Sequence, residues 1–400
     1  MNILVINAGS SSLKFQLFDM SNEKVIAKGN CEKIGLEGSF IGYKTTGDKK
    51  EIRVSMPDHK TAVKEVFKIL TSKDDGVISD LSEINAVGHR FVQGGWLFDK
   101  SVIIDDEVVK KLNMLTDLSP LHAHANMAGY LGCAALMPNT PQTIVFDTSF
   151  HATMPPKAYM YGIKYEDYEK YHVRKYGFHG TSHRYVMGEA AKLLGKDPKD
   201  IKLITVHLGN GSSITAIDHG KSIDTTMGLT PLEGLIMGTR SGDLDPTVVS
   251  YLANKKGMTA DEVVSYLNKQ CGILGVSGVS SDMRELNSAI EAGNERARLA
   301  LDMLIYRVKK FIGSYLAVLG GADAIVFTGG IGEHQEDLRE GALEGMETFG
   351  IEIDKEKNNN LPRGTTEEIS TPKSKIKVYR IPTDEELLIA RDTLALISNK

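Results

Sequence analysis

Cysteine is scarce: three in 400 residues, Cys31, Cys133 and Cys271, odd in number and scattered. No CxxC pair or Cys/His cluster at metal-ligand spacing accompanies them. That excludes a disulfide framework and a zinc site as organising features and leaves free thiols in a reducing cytosol as the expectation. No apolar run approaches the roughly 20 residues of a membrane span. The opening run, residues 3–6, is too short for a signal-peptide core and reaches Asn7 at once. Basic runs are missing too, and with a net charge of -5 the chain has no stripe for nucleic acid or an anionic membrane surface. The expectation is a cytoplasmic protein with neither of those partners. Two phosphate-binding signatures are also absent. Nothing fits GxxxxGK[ST], which disfavours a P-loop enzyme, and no GxGxxG opens a βαβ unit, which disfavours a dinucleotide enzyme.

What is present is enough apolar residue, 41%, for substantial cores, and 25% charge, an ordinary globular balance. The length suggests two domains. Asn2-Ile3-Leu4-Val5-Ile6, then Gly9-Ser10-Ser11-Ser12, then the alternating Leu13-Lys14-Phe15-Gln16-Leu17 reads as a β-hairpin with a small-residue turn. The pattern recurs in Leu203-Ile204-Thr205-Val206, Gly209-Asn210-Gly211-Ser212-Ser213 and Ile214-Thr215-Ala216-Ile217. Either two hairpins resemble each other by chance, or the chain is duplicated. Further apolar runs end at polar residues: Ala86-Val87 at Gly88-His89-Arg90, Thr143–146 at Asp147, and 324–327 at Thr328-Gly329-Gly330-Ile331-Gly332. Helical periodicity falls at about 61–70, 106–115, 183–194, 289–319 and 384–397, the last with Thr383 as candidate N-cap. The alternation indicates α/β architecture, whose ligands gather beyond the carboxyl ends of strands. Pro155-Pro156 is the best local boundary signal, and residues 355–373 read as a polar surface excursion.

Three constellations carry chemistry. Turns at 7–12, 209–213 and 329–332 follow strands and can offer backbone N–H groups to phosphate oxygens. Arg90, His179, His183 and Arg240 stand beside glycines, in GHR, GFHGTSH and GTRSGD, where backbone and ligand can approach closely. Asp147 ends a strand, and Asp384, Glu385 and Glu386 open the last helix. Those carboxylates either complement the helix dipole or bind Mg²⁺ through hard oxygens. Val92, Leu121, Phe178 and Pro231 adjoin these motifs and read as core packing or as an apolar pocket.

At this point the residues resemble a known family. Asn7-Ala8-Gly9-Ser10-Ser11-Ser12-Leu13-Lys14 resembles the opening signature of the acetate kinases. The stretch from Asp224-Thr225-Thr226-Met227-Gly228 through Gly238-Thr239-Arg240-Ser241-Gly242-Asp243 is similar to their second. Tyr176-Gly177-Phe178-His179-Gly180-Thr181-Ser182-His183, Ser280-Ser281-Asp282-Met283-Arg284 and Gly330-Ile331-Gly332-Glu333 also fit, and the likeness runs from Asn2 into the last helix. It implies the acetate and sugar kinase/Hsp70/actin fold: duplicated actin-like, ribonuclease H-like α/β domains with a nucleotide cleft between them. The expected division is 1–150, completed by the C-terminal helix at about 385–400, and 151–384 for nucleotide binding. A homodimer is implied as well.

The resemblance assigns roles. Asn7 and Glu385 are the expected Mg²⁺ residues (Mn²⁺ is an alternative ion, and Glu386 an alternative residue). Lys14, Ser10 and Ser12 are expected at ATP, and Arg90 at the substrate carboxylate. Asp147 is the essential acid, and His179 with Arg240 stabilises the transition state. Nucleotide contacts, for ATP or ADP, are implied for His207, Leu208, Gly209, Asn210 and Gly211, for Asp282, Met283 and Arg284, and for Gly330, Ile331, Gly332, Glu333 and His334. Val92, Leu121, Phe178 and Pro231 match the pocket for the acetate methyl. Gln93 stands where the family has His, Trp96 where it has a charged residue, and His334 where it has Asn. The implied reaction is reversible, in-line transfer of the ATP γ-phosphoryl group to acetate. Longer-acid kinases of the same family, a sugar or polyol kinase using Asp147 as base, and an actin- or Hsp70-like nucleotide module are the alternatives.

Overall fold

The computed structural model describes residues 1–47 and 49–398, with the side chains of Pro120 and Leu121 outside that description. The chain packs as two compact units, residues 1–150 with 384–400, and residues 151–383.

Among the described residues the first unit holds one sheet. Its strands are β1 (Asn2–Ala8), β2 (Ser12–Asp19), β3 (Lys24–Glu32), β4 (Phe40–Lys44), β5 (Lys50–Arg53), β6 (Ile84–Phe91), β7 (Val102–Ile103) and β8 (Gln142–Phe146). Their order is β5-β4-β3-β2-β1-β6-β8-β7. The second unit's sheet uses β9 (Lys202–Leu208), β10 (Ser212–Asp218), β11 (Lys221–Thr225), β12 (Ala324–Thr328), β13 (Glu367–Glu368) and β14 (Lys377–Arg380), in the order β11-β10-β9-β12-β14-β13. Both sheets share a plan: an antiparallel three-strand meander, β3-β2-β1 or β11-β10-β9, extended by two parallel strands, β6-β8 or β12-β14. The two sequence hairpins are the equivalent pairs β1–β2 and β9–β10, so chance likeness gives way to a repeated topology.

The central strands are buried on both faces. Ile3, Leu4 and Val5 of β1, and Ile204, Thr205 and Val206 of β9, have no exposed surface. Each such aliphatic side chain contributes roughly 1.5–3 kcal/mol of transfer free energy. Helix Pro120–Leu136 packs on β1 and β6, and helix Glu385–Ser398 on β1, β6 and β8. That last contact explains the glycine of GHR. A Cβ on Gly88 would lie 2.5 Å from Thr393 Oγ1 and 2.8 Å from Ile389 Cγ2. With Gly88 the helix settles on the sheet and its first turn arrives at the carboxyl end of β6.

Three readings need correction. The periodicity at 289–319 is two helices, Met283–Glu291 and Glu295–Leu319. Gly293, at φ +84°, breaks the run, and Asn294 caps the second helix through the N–H of Ala297. The final helix is capped by Asp384, whose Oδ1 accepts from Leu387 N at 2.9 Å, while Thr383 Oγ1 bonds Ser182 Oγ instead. Residues 355–373 are more than a surface excursion. Asn358 is buried and accepts from Arg339 Nε at 2.7 Å, so this segment closes over an internal guanidinium.

Candidate active site

In the first unit the strand ends bring four predicted residues together. Arg90, at the end of β6, donates from Nε to Asp147 Oδ1 at 3.0 Å and from Nη2 to Asp147 Oδ2. Its Nη1 donates to Asn7 Oδ1 at 3.2 Å, and Glu385 Oε2 lies 3.8 Å from Nε. β1, β6 and β8 are hydrogen-bonded neighbours, and Asp147 N bonds Phe91 O just beyond them, so one sheet edge aims Asn7, Arg90 and Asp147 at a common point. Asp147 is 1% exposed and Arg90 half-buried. Burial opposes the Arg90 charge, but Asp147 and Glu385 outweigh it and hold the guanidinium firmly protonated. Burial also pushes the Glu385 carboxyl up to about 7. Arg90 opposes that shift, and the charges of Asp147 and Glu386 add to it. Crowded carboxylates with an amide oxygen are the hard donor set that Mg²⁺ accepts, and a divalent cation there would relieve the repulsion that raises Glu385. Among the described residues no three His, Cys, Asp or Glu side chains form a closed metal cage. Mg²⁺ typically uses one or two carboxylates, waters and phosphates instead.

The β1–β2 turn is fixed by Gly9 N to Ser12 O at 2.8 Å and by His59 Nε2 against Gly9 O at 2.6 Å. Ser10 and Lys14 are exposed and Ser12 half-buried. Lys14 pairs with Asn7 across the hairpin. Val92 is buried, and its N–H donates to Asn126 Oδ1 at 3.1 Å while Asn126 Nδ2 donates to Ala8 O at 2.8 Å. Asn126 therefore clips the ends of β1 and β6 together. Sequence reading missed Asn126 and His59, since nothing local marks them. The predicted contact of Leu121 lies outside the described residues.

In the second unit a chain of imidazoles lies beside a glycine turn. His179 occupies the left-handed region (φ 55°) ahead of helix Gly180–Leu194. Its Nδ1 bonds Ser213 Oγ at 2.9 Å, and Ser213 Oγ also meets His183 Nε2 at 2.7 Å. His183 Nδ1 reaches Thr205 Oγ1 at 2.7 Å. Burial, then the neighbouring His151 and His207, holds His183 well below the usual histidine range. The ring of His207 stacks on His179 with centroids 4.3 Å apart. A Cβ on Gly211 would stand 3.3 Å from both Arg240 Nη1 and His179 Nε2, so the two predicted transition-state residues meet over that glycine. Arg240 is anchored by Pro231 O at 3.2 Å, and burial lowers its affinity for the proton. Phe178 is buried, and its carbonyl bonds the internal His151 at 2.8 Å. Sequence reading placed Ser213 in the 209–213 turn without its side-chain bonds to the two imidazoles, and it passed over His151. The SS of the glycine turn was the available signal for Ser213, while His151 carries no motif.

The other nucleotide candidates separate into exposed and internal groups. Gly329, at φ +76°, would place a Cβ 2.6 Å from Leu208 O, so only glycine joins β12 to helix Gly329–His334 beside the end of β9. Gly332 O is held by Arg339 Nη1 at 2.8 Å. Asp282 caps helix Met283–Glu291 and pairs with the exposed Arg284 at 2.6 Å. The side chains of Met283 and Leu208 are in the apolar core. Asn210 O receives Gly238 N at 3.2 Å, which ties the β9–β10 turn to the Arg240 loop.

Comparison with known proteins gives the family. Residues 2–391 match the model of the Acetokinase family. An acetate kinase of Clostridium beijerinckii is 54% identical over 99% of this chain and 100% of its own. The crystal structure of Porphyromonas gingivalis acetate kinase superposes with a TM-score of 0.95 at 46% identity, covering 99% of each chain. A propionate kinase structure from Francisella tularensis gives 0.92 at 40% identity, with the same coverage. The chain belongs to the acetokinase family.

Proposed function

We propose that this acetokinase transfers the γ-phosphoryl group of ATP to acetate, reversibly and in line, with the labour divided among the residues above. The observation that carries the reading is the meeting of Arg240 and His179 over Gly211. Acetate is already ionised at neutral pH, since an aliphatic carboxyl titrates at roughly 4–5. No base is needed to make the nucleophile. The obstacle is bringing one anion against another, and catalysis consists of positioning and of neutralising oxygens in line.

Arg90 is cast as the acetate-carboxylate binder. Asp147 takes two of its N–H directions, which fixes the plane of the guanidinium and directs the remaining donors at substrate. Arg240 and His179 donate to phosphoryl oxygens as charge shifts onto them. Ser213 holds the His179 ring through Nδ1 and so sets its orientation. Asn7, Asp147 and Glu385 would hold Mg²⁺, which when bound supplies positive charge to the phosphate oxygens. Lys14, Ser10 and Ser12 serve ATP phosphates, and the turns at 209–211, 282–284 and 330–334 serve the nucleotide. Val92 of the first unit and Phe178 and Pro231 of the second are cast as the residues that select the acyl group, on the family resemblance. The fit to a propionate kinase supports a second reading, a three-carbon acid. One methylene is worth only about 1–3 kcal/mol in such a pocket.

No helix of the described residues is long and apolar enough to cross a membrane. A cytoplasmic location and a homodimer, readable by size-exclusion chromatography, are proposed with the function, supported by the family resemblance. Phosphorylation rates with ATP across acetate, propionate, butyrate and glycerol test the assignment. Acetate should lead, propionate should follow, and glycerol should be inert. Glycerol turnover without acid turnover would replace the assignment with a polyol kinase.

A further inference from the structure

Behind the strand that carries Arg90 lies a hollow of about 300 Å³. Its walls are the end of β6 with the following loop, helix Asp106–Met114 with its continuation, and helix Pro120–Leu136. Phe91, Leu112, Leu115, Met127 and Leu131 make most of its surface apolar; His122, His124 and uncharged polar side chains complete the wall, and no Lys, Arg, Asp or Glu is among the described lining residues. Val92, Phe178 and Pro231 of the acyl reading do not line it either.

One polar group in this wall is unspent. Gln93 is 7% exposed; its Oε1 accepts from Gly95 N at 2.9 Å, while its Nε2 is buried with no hydrogen-bond partner among the described residues. A buried N–H left unpaired costs roughly 1–3 kcal/mol, so the site favours an occupant that supplies an acceptor. No Lys or Arg stands alongside, so a carboxylate would lose its hydration without a permanently charged partner; His122 and His124 are the titratable groups of the wall. The chemistry therefore selects an uncharged, largely apolar molecule with one acceptor oxygen, such as a tertiary amide.

A second lining residue connects the hollow to the reaction. Asn126 is buried in the same wall, and its amide holds Val92 N and Ala8 O, the ends of the two strands that present Arg90 and Asn7. We propose that the hollow is an effector site for a small uncharged amphiphile with one hydrogen-bond acceptor, and that its occupant alters acetate binding through Asn126. The effect on acetate rests on the acetate kinase reading, whereas binding does not.

Trp96 provides a reporter. It is the single tryptophan of the chain and follows Gly95, whose Cβ position abuts Leu115 of the hollow at 2.5 Å. The experiment titrates 1-methyl-2-piperidone against ¹⁵N-labelled full-length protein and follows the one indole N–H resonance, with methylcyclohexane and cyclohexanecarboxylate as comparison probes. The amide should shift the resonance saturably and bind better than the hydrocarbon or the carboxylate. Gln93→Leu should weaken the amide roughly tenfold, as expected for one lost hydrogen bond. Ala128→Leu, which fills the hollow, should abolish the shift with acetate turnover intact. Saturating amide should change the acetate KM of the parent roughly fivefold or more and that of Ala128→Leu not at all. No saturable shift in the parent, or a shift indifferent to both substitutions, overturns the site and leaves a hollow filled by water. Binding without a change in acetate KM overturns the effector role. Absence of acetate turnover in the parent, with binding preserved, counts against the proposed reaction instead.

Discussion

Arg90 and Asp147 form a two-pronged ion pair at the sheet edge: the carboxylate takes Nε and Nη2 of the guanidinium, and Asn7 takes Nη1. The pair is largely buried, so its partners are strongly interdependent. Removing one side of a buried pair typically costs about 3–5 kcal/mol because a charge is left uncompensated.

Asp147→Asn should therefore do more than remove a negative charge. The guanidinium loses one of the two acceptors that fix its plane and meets an amide N–H in its place, and kcat should fall about 100-fold or more, the scale of a lost preorganised electrostatic contact. Arg90→Ala should chiefly raise the acetate KM. Steady-state kinetics with each substrate varied separates these effects; an Arg90→Ala enzyme with a raised ATP KM and a normal acetate KM would reassign that residue.

Arg240→Ala removes a donor held over Gly211 by Pro231 O. The expected loss in kcat is about 100-fold. Arg240→Lys should not restore the rate, because an ammonium cannot reproduce the planar fork. Near-normal turnover in either variant would take Arg240 out of the transition state.

Ser213 sits between His179 Nδ1 and His183 Nε2. Ser213→Ala leaves both imidazoles without that hydroxyl and removes the contact that orients His179 at Nδ1. The kcat should drop roughly tenfold, the equivalent of about 1.4 kcal/mol, with ATP KM nearly constant. A changed ATP KM at constant kcat would show that Ser213 serves the nucleotide instead.

His89 gives a pH dependence of defined sign. It is buried against Gln142 Oε1 at 2.7 Å, and burial, partly offset by that hydrogen bond, pushes it down to about 4. The unfolded chain takes up this proton near 6.5, so stability is complete above that pH and is lost as pH falls toward 4. Glu385, raised to about 7, contributes in the opposite sense, so a difference is the clean quantity. In urea unfolding, the stability of the parent minus that of His89→Gln should decline by up to about 1.4 kcal/mol per pH unit between 6.5 and 4. A constant difference would show that His89 titrates alike in both states.

Much of the fold was legible because backbone chemistry is local. The two hairpins announced themselves by alternation and small-residue turns, and both lie where the sheets repeat a strand order. Polar residues ending apolar runs identified Arg90 and Asp147, since a strand end is where a side chain leaves the core. The geometry connecting them was not legible, because the pairing of β6 with β8 brings together residues far apart in the chain. Asn126, His59 and His151 escaped for the same reason: each is one polar side chain whose partner is a distant backbone carbonyl or amide. The break at Gly293 was hidden by apolar periodicity on both sides of it, and Asp384 replaced Thr383 as cap because Thr383 is engaged by Ser182.

The central claim is that the acceptor is a carboxylate, activated by placement rather than by a base. Hydroxylamine trapping with ATP, Mg²⁺ and acetate tests it most directly. The account predicts acetohydroxamate stoichiometric with ADP in the parent and almost none with Arg240→Ala. ADP formed without hydroxamate would contradict it.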